Sequence, residues 1–204
     1  MRTHLPIFVM IRPRGGDFCY SETEFEQIRA DLTLALELGA DGLVLGLLLP
    51  NGTVDVRRTR QLVEQAGGAP VTFHRAFDAT RHLDEALEAV IEAGCQCLLT
   101  SGGASTAPEG LDTLARLVKQ AQGRIELMAG SGVNSQNAAA LLKTGVQGLH
   151  LSGRSVRDSA MQFRKPELSM GGNAVFPEYQ IAYADEAKIR AVVALAGRVG
   201  NPTA

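Results

Sequence analysis

Short apolar runs alternate with stretches of helical periodicity along almost the whole chain. In "ELGADGLVLG", "EAGCQCLLTSG" and "KTGVQGLHLSG" a helical stretch meets a glycine (Gly39, Gly94, Gly145) and then an apolar run. Glycine tolerates the left-handed turn that ends a helix, and the apolar run reads as a buried parallel strand. Looser copies stand at "QAGGAPVTFHRAF" and "QAQGRIELMAG", and "LPIFVMIRP" supplies a front strand. The pattern predicts strands near 5–12, 42–47, 70–75, 96–101, 124–129 and 147–152. It predicts helices near 22–38, 55–66, 82–93, 107–121, 134–144 and 184–198, with Gly153 to Pro177 as the one irregular stretch. Strict alternation of strand and helix gives an α/β fold with a parallel sheet, open or closed into a barrel.

Side-chain parity favours the barrel. Leu43, Leu45 and Leu47 oppose Gly42, Val44 and Gly46; Leu149 and Leu151 oppose His150 and Ser152; Ile125 and Leu127 oppose Glu126, Met128 and Gly130. An open sheet wrapped by helices is apolar on both faces, whereas a barrel strand turns one face to the helices and the other into a lumen with a polar mouth. The expected lumen set is Met10, Arg12, Arg14, Gly46, Thr72, His74, Thr100, Met128, His150 and Ser152.

At 204 residues the chain suits one domain, spanning 1–204, with a sizeable core. A net charge of -2 gives no global attraction to nucleic acid or to an anionic membrane. Three cysteines, Cys19, Cys95 and Cys97, make no disulfide framework and point to a reducing compartment, the cytoplasm. The apolar run Leu5 to Ile11 is too short to span a bilayer and lacks signal-peptide grammar.

The candidate chemistry gathers where strands end. In "IRPRGGDF", Arg12 and Arg14 share a parity. If the strand persists to Arg14, both guanidinium groups project to one side and offer forked donors to a carboxylate or phosphate. Asp17 is placed to orient one of them, and a structural ion pair within the loop is the plainer alternative. In "TFHRAFD", His74 is a candidate general acid or base, Asp78 a group to hold its tautomer, and Arg75 an anion anchor. Gly130, Ser131 and Gly132, with a helix start at Asn134, form a candidate phosphate cradle completed by Ser152 and Gly153. For a soft metal the candidate ligands are Cys19, His74 and Met128, Cys95 and Cys97 falling at the opposite end of the strands.

Taken together, "VMIRPRGGDFCYSETEFE", "GADGLVLGLL", "GTVD", "VTFHRAFD", "LLTSGG", "MAGSGV", "LHLSG" and the tail "MQFRKPELSM" with "EYQIAYAD" resemble the CutC family, named for copper homeostasis. The resemblance implies a TIM barrel. It also implies two further strand-helix units ahead of "IRPRGGDF", with an "EIC"-like and a "VELC"-like strand that carry a glutamate and cysteines of the family's pocket. Six of eight units leave two open edges. A front shortened relative to the family, a homo-oligomer that covers the edges, and an inactive descendant each account for them. Two functions stand: a cytoplasmic protein that binds copper(I) without turnover, and an enzyme on a small phosphorylated or carboxylated metabolite, of unassigned reaction, that uses Arg12, Arg14 and His74.

Overall fold

The computed structural model describes residues 5–165, 167 and 178–200. Six strands, β1 (Phe8–Met10), β2 (Gly42–Leu45), β3 (Val71–Phe73), β4 (Cys97–Thr100), β5 (Glu126–Gly130) and β6 (Gly148–His150), pair in chain order, all parallel. They form a curled half-barrel of the α/β class. Between them run the helices α1 (Glu22–Glu37), α2 (Val56–Gln65), α3 (Leu83–Glu92), α4 (Leu111–Ala121) and α5 (Ala138–Lys143). The chain divides into two compact units. The first runs to Val133 and resumes at Ala140–His150; the second holds Asn134–Ala139 and the chain from Leu151 on.

The alternation of side chains positions the core. Leu45, Phe73, Leu98 and Leu127 stand in register across four strands, each at most 1% exposed, on the face that meets Leu32, Leu62, Leu87, Leu114 and Leu117 of the helical layer. The opposite face carries Met10, Val44, Thr72 and Cys97 in one row. Helix starts follow local chemistry. Ser21 caps α1 by accepting from the Glu24 amide, while the Glu24 carboxylate accepts from the Ser21 amide. Asp55 caps α2 through the Arg58 amide.

Two expectations change. Register pairs Cys97 with Thr72, so Thr100, two positions from Leu98, stands beside Ala129 on the helix face and is fully buried. A hydroxyl is tolerated there because it donates to Asp78. Cys97 and Leu99 take the lumen face instead. The stretch read as irregular begins with β7 (Arg154–Asp158), which pairs antiparallel with β8 (Gln180–Ala184) in the second unit, ahead of α6 (Glu186–Gly200). Part of that stretch, 166 and 168–177, lies outside the described residues.

Leu98 is fully buried in the central row. Leu98→Ala is expected to cost about 2–5 kcal/mol, through lost transfer energy and a residual cavity. Urea unfolding checks it as a lowered midpoint at unchanged slope.

Candidate functional site

The carboxyl ends of β1, β2 and β3 bring Arg12, Phe18, Gly46 and His74 together. A Cβ on Gly46 would lie 2.5 Å from the imidazole Nδ1 and 2.6 Å from Cε1, so the ring rests directly on the β2 backbone. That is the physical reason for glycine at this position. The Phe18 ring lies 5.1 Å from the imidazole, centroid to centroid, and the Arg12 guanidinium stacks 4.7 Å from the Phe18 centroid.

The state of His74 is fixed by one bond. A 3-10 turn, Arg75–Ala79, follows β3 at once, and its Ala76 amide donates to Nδ1 at 3.2 Å. That lone pair is therefore in use, and the proton of a neutral imidazole sits on Nε2. His74 is 4% exposed, and Nε2 has no hydrogen-bond partner. Burial first, and then the positive charge of Arg12, hold its pKa down to about 4, so the ring is neutral near pH 7.

Asp78 does not hold the His74 tautomer. Its carboxylate accepts from Arg75 Nε (2.7 Å), Thr100 Oγ1 (2.5 Å), the Ser101 amide and hydroxyl (3.1 and 3.0 Å) and the Gly103 amide (2.9 Å). The side chain thus ties the turn after β3 to the loop after β4. Arg75 is spent in the same network, donating also to Ser101 Oγ and the Ala104 carbonyl, which takes it away from the role of a free anion anchor.

Arg12 and Arg14 do not act as one clamp. β1 ends at Met10, and beyond it the two side chains part. Arg14 donates to Glu24 at 2.5 Å, to Asp17 Oδ1 at 3.0 Å and to the carbonyls of Gly15, Asp17 and Cys19. It is the structural ion pair of the loop. Its hydrogen bonds to the Glu24 and Asp17 carboxylates raise its pKa further. Arg12 is exposed and donates to the Gly16 carbonyl, 2.7 Å away.

The glycine-rich loop is explained by close packing. A Cβ on Gly130 would meet Leu99 at 2.6 Å, and one on Gly132 would meet Thr106 at 3.1 Å. Ser131 adopts φ 82° while its hydroxyl donates to the Ser105 carbonyl and its own carbonyl accepts from Ala107. Asn134 opens a turn rather than a helix, its Oδ1 accepting from the Gln136 amide, and α5 begins only at Ala138. In the second unit Ser152 is exposed, and Gly153 is glycine because a Cβ would meet Ile189 at 2.7 Å. His150 ends β6, exposed.

The residues of the expected soft-metal set have different surroundings. Cys19 lines a cleft of about 540 Å³ with Tyr20, Leu48, Val54, Asp55 and Arg58, whereas Met128 lies over Gly148 on β5 and β6. His74 offers no lone pair, since Nδ1 is engaged and Nε2 is protonated. Among the described residues no group of three or more His, Cys, Asp or Glu side chains is placed to hold a metal ion. Cys95 and Cys97 are the pair that sequence reading set aside. Register puts Cys97 on the lumen face, half-buried beside Thr72. Burial, with that neighbour as a lesser cause, pushes the Cys95 thiol up to about 12, and burial raises Cys97 too.

The profile of the CutC family matches residues 1–155. The human copper homeostasis protein cutC homolog is 43% identical over 196 residues, 96% of this chain and 72% of the relative. A CutC family protein of Chromobacterium violaceum is 47% identical over 192 residues, 94% of this chain and 77% of its own length. The chain belongs to the CutC family. The CutC structure from Streptococcus agalactiae superposes with a TM-score of 0.68 at 34% identity, covering 72% of each chain. This CutC chain therefore falls in a family named for copper homeostasis. No helix among its described residues is long and apolar enough to cross a membrane.

The His74 environment predicts a pH dependence of stability. An unfolded imidazole takes up its proton near ~6.5, the folded one only near 4. Between those values the unfolded state binds more protons, so stability falls as pH drops through that window and is unaffected above it. The loss reaches roughly 2 to 3 kcal/mol at about pH 4.5. Urea unfolding of His74→Gln is expected to show a correspondingly smaller difference between about pH 7 and about pH 4.5 than the parent chain does.

Proposed function

We propose that copper(I) is the cargo of this CutC protein and that Cys95 and Cys97 are the ligands it uses. The observation that carries this reading is the Cys-X-Cys at the start of β4, where two free thiols stand two residues apart, Cys95 buried and Cys97 half-buried. Thiolates are the ligands copper(I) prefers, and a d10 ion accepts a site with few ligands. Their raised pKa values keep both protonated when metal-free, so binding releases protons and strengthens as pH rises. The names of the human and mouse relatives, copper homeostasis protein cutC homologs, support the copper role. Free thiols and cuprous copper both suit a reducing compartment, so the cytoplasm is the proposed location. Self-association is part of the same reading. Phe8 and Met10 are 42% and 55% exposed on β1, whose outer edge has no partner strand among the described residues, and such an edge invites pairing.

An anaerobic copper(I) titration against a competing chelator tests the assignment. Cys95→Ser and Cys97→Ser are each expected to weaken binding by about tenfold or more, the equivalent of ~1.4 kcal/mol, while His74→Gln leaves it unchanged. Binding that survives both serine substitutions, or that is lost in His74→Gln, would overturn it.

A further inference from the structure

His74 is a buried donor with nothing to donate to. Its ring cannot shift toward β2, because the Gly46 backbone is in contact with it, and it cannot change tautomer without setting Nδ1–H against the Ala76 N–H. A buried polar group left unpaired costs about 1–3 kcal/mol, and an aromatic face offers at most a weak acceptor. The ring that lies against it is Phe18, from the loop between β1 and α1, and the group stacked on Phe18 is Arg12. Arg12 is exposed and, beyond the Gly16 carbonyl, keeps guanidinium donors to offer. A neutral N–H donor and a permanent cation thus converge on one aromatic side chain, half-buried and held by stacking.

We propose that this is a binding site for a small oxyanion, a carboxylate or phosphate group, which displaces the Phe18 ring and accepts from both His74 Nε2–H and the Arg12 guanidinium. The chemistry fits each part. An anion oxygen supplies the acceptor that Nε2–H lacks, and a neutral histidine donates to it without needing a proton from solvent. Arg12 supplies the charge and a fork that matches two oxygens. Arg14 and Arg75, held by Glu24, Asp17 and Asp78, shape the surrounding loops and do not touch the ligand. Phe18 shields the site when no anion is present, so the ligand must offset the loss of the Arg12–Phe18 stack. The site stands at the opposite strand ends from Cys95 and does not depend on the copper reading.

The test uses the full chain labelled with nitrogen-15 in its histidines, the His74 signals being assigned by their absence in His74→Gln. Inorganic phosphate and acetate are titrated separately at constant ionic strength held by chloride. The expected result is a saturable shift of the His74 Nε2 signal with at least one of the two, and which one responds names the headgroup. Arg12→Gln is expected to weaken that binding at least tenfold, Phe18→Ala to strengthen it severalfold, and the double substitution Cys95→Ser, Cys97→Ser to leave it unchanged. Arg12 is exposed, so its substitution does not threaten folding, and it decides the matter if Phe18→Ala is unstable. No response of His74 to either anion, in the parent chain and in Phe18→Ala alike, would overturn the proposal. So would a response of equal strength in Arg12→Gln, which would mark an adventitious ion only.

Discussion

The bond from the Ala76 amide to His74 Nδ1 decides what the carboxyl end of this half-barrel can do. It exists because the 3-10 turn begins at the residue after His74, which points the first amides of the turn back at the side chain preceding them. It fixes the tautomer, and Gly46 fixes the ring. From those two contacts follow an Nε2 that donates and a side chain unfit to ligate a metal, while burial keeps the ring neutral. The division of labour proposed for the molecule has the same origin. Soft-metal chemistry is left to the thiols at one end of the strands, and acceptor recognition to His74 and Arg12 at the other.

Around that centre charges are mostly consumed by structure. Asp78 gathers five donors from Arg75, Thr100, Ser101 and Gly103, which locks the turn after β3 to the loop after β4. Arg14 does the same for the loop after β1. Such networks are costly to leave half-formed and rigid when complete. They explain how the exposed strand-end loops hold Phe18 and His74 at a defined spacing. Arg12 differs from its neighbours in that no carboxylate claims it among the contacts of the described residues.

Much of this was legible in the sequence, and the failures have physical causes. Helix-glycine-strand punctuation places β2 to β6 and the apolar run "LPIFVMIRP" places β1, because the helix-facing positions of each strand are mostly apolar. The β7–β8 hairpin escapes it: "RSVRD" and "QIAYA" are largely exposed and have no buried face to impose a period. The helix expected from Asn134 starts four residues late because asparagine side chains satisfy the turn before it. Thr100 is misplaced by its polarity, which suggests a lumen position, when its hydroxyl is buried against Asp78. The same parity slip hides Cys97. His74 and Arg12 are singled out in the sequence by residue type and strand end. The partner of Asp78 is not, since an i,i+4 spacing from histidine to aspartate cannot reveal that Arg75 and the β4 loop outcompete the imidazole.

The measurement that reaches the centre of this account is the tautomer and titration of His74, read from its ring nitrogen-15 shifts between about pH 5.5 and about pH 8. The account predicts a neutral ring throughout, Nε2 protonated and Nδ1 bare. A ring protonated on Nδ1, or one that titrates near ~6.5 as a solvent-exposed histidine does, would contradict it and return His74 to the list of possible metal ligands.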